Sequence, residues 1–175
     1  MTWDLCHPNA LLSSTCEHCP HYRNQVAEAL QRHPCSQERP WHLIFTFDEF
    51  VPGNPFDGAN GRKTMALLFT FAELGRRCLA DPRTWMIPVT VRTSAICSVV
   101  GGWSAMFAAY LHLHLFGNSG ITTHGCPVIL NGGSPALIWA KLAVAAADGD
   151  GLKQTLDWKG AVSYTHLTLP TILRV

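Results

Sequence analysis

The chain has 175 residues, of which 47% are apolar and 14% are charged, and its formal net charge is +1 at pH 7. This composition is typical of a globular domain and excludes a disordered chain. The lack of a basic excess argues against a strongly cationic nucleic-acid-binding protein, because phosphate binding normally requires a surplus of Lys and Arg.

No part of the sequence has the pattern of a targeting signal or a membrane span. The first residues lack the basic and apolar regions of a secretory signal. The longest apolar stretch, residues 99–116, is interrupted by glycine, serine and histidine, which makes it a poor membrane span. The seven cysteines do not form the framework of a small secreted domain. We therefore expect an intracellular protein with reduced thiols and no membrane partner.

A change of composition near Pro40 divides the sequence. Residues 1–40 are polar and rich in Cys and His, and within them residues 22–32 have apolar positions at helical spacing, which predicts a helix. Residues 41–161 are strongly apolar and contain most of the strand and helix signals. We predict a small Cys/His-rich segment followed by an α/β core.

Three apolar runs at the start of this core predict β-strands, and turn-forming residues separate them. The runs are residues 41–47, 64–71 and 85–91. Pro88 has no amide donor and therefore places the third strand at a sheet edge or beside a bulge. Three consecutive strands joined by turns predict an antiparallel meander.

A buried helix and one ambiguous element follow the three strands. Residues 103–116 have apolar side chains at helical spacing and end at Gly117, which predicts the helix. In residues 134–147, Ser134 as N-cap, Pro135 at the first helical position and an alanine-rich run slightly favour a second helix. A strand is the alternative for this segment, and it stays open.

The last residues have the pattern of a foreign tail. Residues 162–171 read Val-Ser-Tyr-Thr-His-Leu-Thr-Leu-Pro-Thr, and their back-translation resembles the transposase adapter used to prepare sequencing libraries. We therefore predict that residues 162–175 are an adapter-derived artefact that makes few packed contacts and should be excluded from fold reasoning. An ordinary β-prone segment is the alternative.

Acidic residues follow two of the apolar segments. Asp48 and Glu49 end the first predicted strand, and Asp148 and Asp150 follow the last apolar segment. If these segments lie side by side, the carboxylates converge. Carboxylate oxygens are the ligands that Mg²⁺ prefers, and two such ions can clamp the attacking and leaving oxygens of a phosphoryl transfer. The alternative is that Asp48 and Asp148 cap turns.

The sequence around these acidic residues resembles the catalytic domain of DDE transposases of the CACTA and Plavaka type. The first matching run is residues 45–54, Phe-Thr-Phe-Asp-Glu-Phe-Val-Pro-Gly-Asn, followed by residues 63–74. The second is residues 145–152, Ala-Ala-Ala-Asp-Gly-Asp-Gly-Leu, followed by Trp158-Lys159-Gly160. The family has Leu-Pro after its second aspartate, where this chain has Gly149-Asp150. The resemblance extends over residues 41–160.

This resemblance implies a partial ribonuclease H-like α/β fold, with a strand before the second aspartate. It implies that Asp48 and Asp148 are catalytic and hold Mg²⁺ or Mn²⁺ beside DNA, with Asp150 as a neighbouring ligand. The third acidic residue of the family would lie beyond this sequence, so the fragment is expected to be inactive. The intact protein would be nuclear.

Local positive spots give candidate contacts to DNA phosphates. The candidates are Arg62, Lys63 and Arg92. Solvated surface is the alternative for each, and it agrees better with the low net charge.

A second possible site lies in the N-terminal segment. Cys16-Glu17-His18-Cys19 contains a Cys-x-x-Cys pair, in which both sulfurs can reach one Zn²⁺ ion. His21, His33 or Cys35 could complete the ligands. The alternative is a set of incidental Cys and His residues. A zinc-stabilised, non-enzymatic interaction domain from a mobile element is thus the rival of the transposase hypothesis; it requires separated acidic residues and converging Cys and His side chains.

A third group consists of His112, His114, His124 and Cys126. On a helix, positions 112 and 114 point apart and cannot easily chelate one metal ion. A Cys-His nucleophile pair is conceivable, but nothing in the spacing supports it. We expect histidines of a core or an interface.

Overall fold

The computed structural model describes residues 6–51, 63–133 and 135–147 and the backbone of residues 173–174. The helices are α1 (Pro8–His18), α2 (Pro20–Arg32), α3 (Arg76–Leu79), α4 (Thr93–Ile96) and α5 (Gly102–Leu111), and α5 continues into a π-helical turn, His112–Phe116. The strands are β1 (Trp41–Phe50), β2 (Thr64–Phe71), β3 (Met86–Arg92), β4 (Cys126–Ile129), β5 (Pro135–Ile138), β6 (Ala140–Ala147) and β7 (Leu173–Arg174). Short 3₁₀ turns lie at Ala72–Leu74, Pro82–Thr84 and Asn131–Gly133.

The main sheet is mixed, and its strands lie in the order β3-β2-β1-β6-β7. β1 pairs with β2 and β2 pairs with β3 in antiparallel fashion, which confirms the predicted meander. β6 pairs with β1 in parallel. The chain reaches β6 through α4, α5 and a separate two-stranded sheet of β4 and β5. The fold is therefore α/β, as expected.

The position of Pro88 agrees with its missing amide. β3 lies at the outer edge of the sheet, and the register between β2 and β3 shifts between Leu67 and Phe69. Both expectations for Pro88, an edge and a neighbouring bulge, are thus confirmed.

The slight preference for a helix over residues 134–147 was wrong, because this segment forms strands β5 and β6. Pro135 is the first residue of β5, where a strand tolerates proline. The helix propensity of alanine exceeds that of other residues by only a few tenths of a kcal/mol. Pairing of β6 with residues 41–47 of the central strand β1 outweighs that preference.

The core lies between the sheet and helix α5. Alternate residues of β1, from Trp41 to Phe47, are buried on this side. Phe107 of α5 packs edge-on against two of them, with ring centroids 4.8 Å from Phe47 and 6.1 Å from Phe45. The predicted helix over residues 103–116 is thus confirmed as a buried helix, although its last turn is π-helical.

Residues 6–40 contribute two helices to the same core. The predicted helix over residues 22–32 is confirmed as α2, while α1 was not predicted. Buried side chains of both helices, Leu12 and Val26 among them, pack within one cluster with the sheet residues. Trp41 Nε1 donates to the His33 carbonyl at 2.9 Å, which fastens the end of this segment to the start of β1.

Most of the predicted adapter-derived tail, residues 162–172 and 175, lies outside the described residues. The described part of this tail is the backbone of β7, which pairs with Val144 and Ala145 of β6. None of the helices in the described part of the chain combines the length and hydropathy needed to cross a bilayer.

Candidate functional site

The carboxyl ends of β1 and β6 lie side by side. The two strands are parallel, and Phe47 is paired with Ala147. Phe47 precedes Asp48 in the sequence, and Ala147 precedes Asp148. Asp148 and Asp150 themselves lie outside the described residues. The described strands therefore place the chain positions before both predicted catalytic aspartates at the same end of neighbouring strands.

Asp48 is an exposed residue near the end of β1, opposite Ala66 of β2. Successive side chains of a strand point to opposite faces, so Asp48 lies on the face away from the buried Phe47. The Asp48 carboxylate makes no ion pair or hydrogen bond with another residue of the described ranges.

Glu49, the next residue, is engaged by two neighbours. Its Oε2 lies 3.2 Å from Lys63 Nζ, and its Oε1 accepts a hydrogen bond from Thr93 Oγ1 at 2.8 Å. Lys63 precedes β2 and Thr93 follows β3, and the Thr93 amide also donates to the Lys63 carbonyl at 2.9 Å. Glu49 therefore links the ends of three strands. Sequence reasoning did not assign it this role, because the contact depends on strand register.

The candidate DNA-binding cations differ in their surroundings. Lys63 is partly exposed and carries the ion pair with Glu49. Arg92 is exposed at the end of β3, opposite Thr64 in the register. Arg62 lies outside the described residues. Lys63, just before β2, and Arg92, at the end of β3, thus lie at the same end of the sheet as Asp48. Of their two strands, only β2 pairs with β1; β3 lies beyond β2.

The Cys16-x-x-Cys19 pair is arranged differently from an open metal site. Cys16 is fully buried in α1. Burial, with a smaller contribution from nearby Cys126, raises the pKa of the Cys16 thiol to about 12, which disfavours the thiolate that zinc requires. Within the described ranges, no group of three or more His, Cys, Asp or Glu side chains could hold a metal ion. Zinc binding by Cys16 and Cys19 stays a prediction, and it would require Cys16 to leave the core.

The third sequence group does not converge. His112 is exposed, whereas His114 is fully buried, so the two side chains point apart as a helix requires. His124 is exposed and contacts Thr123. Cys126 is buried, and its thiol donates to the Asn9 carbonyl at 3.3 Å. His114 is thus a core histidine, as expected, whereas the exposed His112 and His124 do not lie in the core.

A serine–histidine pair joins the start of α1 to the loop before β4. Ser119 Oγ lies 2.9 Å from His7 Nε2, and the amide of Asn9 donates to His7 Nδ1 at 3.3 Å. Since Nδ1 accepts a hydrogen bond, we place the proton of the neutral ring on Nε2, where it is donated to Ser119 Oγ. A base for a serine nucleophile needs the opposite arrangement. His7 therefore acts as the N-cap of α1 and does not activate Ser119.

Comparisons with known protein families, with curated proteins and with solved structures find no match to this chain.

Proposed function

We propose that the chain is part of a metal-dependent polynucleotidyl transferase of the DDE transposase type, acting on DNA. In this proposal Asp48 and Asp148 bind Mg²⁺ or Mn²⁺ through their carboxylate oxygens, with Asp150 as a neighbouring ligand. The ion would neutralise charge that develops on a DNA phosphate during an in-line displacement.

The observation that carries the proposal is the parallel pairing of β1 with β6. A three-stranded antiparallel meander is followed by a buried helix and by a strand that returns next to β1. This is the arrangement that the resemblance to DDE transposases implies for a ribonuclease H-like fold. The alignment of Phe47 with Ala147 favours convergence of the two aspartates. The rival zinc-stabilised domain requires separated acidic residues and converging Cys and His ligands, so the described geometry favours it less.

The environment of the two neighbouring carboxylates supports Asp48 as the metal ligand. Glu49 is already neutralised by Lys63 and bonded to Thr93, whereas Asp48 has no described partner. Two carboxylates held within a few ångströms repel each other and are stable together only with a proton or a cation. A divalent ion between Asp48 and Asp148 would relieve this repulsion.

A thermal melt tests the shared metal site. Millimolar Mn²⁺ is expected to raise the Tm of the chain by about 3–6 °C, the shift given by a ligand at about ten times its Kd. Asp48→Asn and Asp148→Asn should each abolish most of this shift, because each removes one charged ligand. The measurement is the difference in Tm with and without the metal, at constant ionic strength.

Glu38→Gln is the matched control, because Glu38 is an exposed carboxylate whose only described side-chain partner is nearby Ser36. It should keep the full response to Mn²⁺. The shared site is wrong if the unchanged chain shows no metal-dependent shift, or if the two aspartate variants respond as Glu38→Gln does.

A further inference from the structure

The turn between β4 and β5 contains an Asn-Gly pair that the proposed function does not use. Asn131, Gly132 and Gly133 are exposed, and the two glycines have positive φ, 79° and 77°. Within the described part of the chain, a Cβ built on either glycine would have no neighbour within 4 Å. An amide nitrogen that belongs to glycine, in an uncrowded turn, can approach the side-chain carbonyl carbon of the preceding asparagine with little steric hindrance.

The Asn131 side chain is held by two residues of α2. Arg23 Nε donates to Asn131 Oδ1 at 3.1 Å, and Asn131 Nδ2 donates to Asn24 Oδ1 at 2.9 Å. The guanidinium cation withdraws electron density from the Asn131 amide carbon. It also lies where negative charge would develop on Oδ1 if a nucleophile added to that carbon. A preorganised cationic donor at such an oxygen lowers the barrier to addition.

We propose that Asn131 is a self-modifying site, at which the side chain deamidates in the folded protein with assistance from Arg23. The backbone nitrogen of Gly132 forms a bond to Asn131 Cγ, the Cγ–Nδ2 bond breaks, and ammonia leaves with the proton lost by the Gly132 amide. Water then opens the cyclic imide at either carbonyl, giving Asp or isoAsp. No oxidant or reductant takes part.

The product would alter how the β4–β5 turn is held on α2. A carboxylate at position 131 can accept a charge-assisted hydrogen bond from Arg23. This bond is stronger than the hydrogen bond that Arg23 donates to the neutral Asn131 amide. The carboxylate can no longer donate to Asn24. In the isoAsp product the main chain gains one carbon within the turn, so the Arg23 contact and the turn geometry cannot both be kept.

The test follows deamidation by peptide mapping with mass spectrometry, after the full chain is aged in warm, mildly alkaline buffer. We expect Asn131 to convert several-fold faster than Asn118, which is exposed but is followed by Ser119. We also expect conversion in the folded chain to be at least as fast as in the chain unfolded by urea, which gives the rate set by sequence alone. Asn131→Gln should remove the signal at this position.

Arg23→Gln and Arg23→Lys separate assistance by Arg23 from the intrinsic reactivity of Asn-Gly. Both should slow conversion of Asn131 several-fold in the folded state and leave the rate in urea unchanged. The proposal is overturned if the folded chain protects Asn131 relative to urea, or if the Arg23 variants that remain folded convert at the original rate. Circular dichroism of each variant establishes its folding, and a variant that is unfolded must show the rate measured in urea.

Discussion

Replacing Phe45 by Ala is expected to lower the free energy of unfolding by about 3–5 kcal/mol. Phe45 is fully buried at the centre of β1. Its ring centroid lies about equally far from four others: 6.0 Å from Phe69, 6.1 Å from Phe107, 5.9 Å from Tyr110 and 5.7 Å from His114. Truncation would leave a cavity between the sheet and the helix. The backbone hydrogen bonds of both elements keep them in place, so they cannot move together to fill it. Urea denaturation measures the change.

Phe50→Ala is the matched control, because it removes the same ring from the same strand. Phe50 is 43% exposed, so its truncation should cost well under the value for Phe45, about 1 kcal/mol or less. Equal losses for the two variants would mean that the described face of β1 is not the core face.

Acidification to pH 5 is expected to reduce the stability of the chain by about 2 kcal/mol through His114 alone. Burial, with a smaller contribution from His7, lowers the pKa of His114 from 6.5 to about 3. Between these values the unfolded chain binds a proton that the folded chain does not bind, so stability falls as pH falls. Among the described residues, no carboxylate pairs with a protonated His114: Nε2 has no hydrogen-bond partner there, and Nδ1 lies 3.4 Å from the Tyr110 hydroxyl.

The His114 contribution is obtained by comparing variants at pH 8 and pH 5. His114→Phe should lose this part of the pH dependence, and His114→Leu provides a second variant in case the larger ring does not fit. His112→Gln removes an exposed histidine from the same turn and should retain the pH dependence of the original chain. If His114→Phe and His112→Gln lose equal stability on acidification, His114 is not buried in the neutral form.

Local patterns predicted the elements that contain a long apolar run. The three strands of the meander and α5 each contain such a run, and the structure confirms all four elements. Residues 134–147 contain a local pattern that favours a helix, but the segment is a strand because a distant strand pairs with it. The Asn131-Gly132-Gly133 sequence favours a hairpin turn between two strands, and the prediction of a helix did not take it into account. α1 was missed because its N-cap is His7, a residue type outside the usual capping set.

The sequence predicted which residue types could form the candidate site, but not which residues contact them in the fold. The ends of apolar runs identified Asp48 and Asp148 as residues that could meet if the two segments lie side by side, but the sequence did not show that the segments do so. The partners of Glu49 were not predictable, because Lys63 and Thr93 reach it through the register of three strands. The zinc hypothesis relied on sequence spacing, which does not reveal that Cys16 lies on the buried side of α1.

The parallel pairing of β1 with β6 also sets the order in which the chain can fold during synthesis. The meander of β1, β2 and β3 has contacts between neighbouring segments and can form as soon as residue 92 has left the ribosome. The other side of β1 must then wait for β6, the partner of residues 41–47, which emerges much later. Such long-range contacts slow folding and leave an unpaired strand exposed in the meantime. A nascent chain arrested before residue 140 would therefore present β1 as a free sheet edge, the surface that chaperones or a second nascent chain can bind.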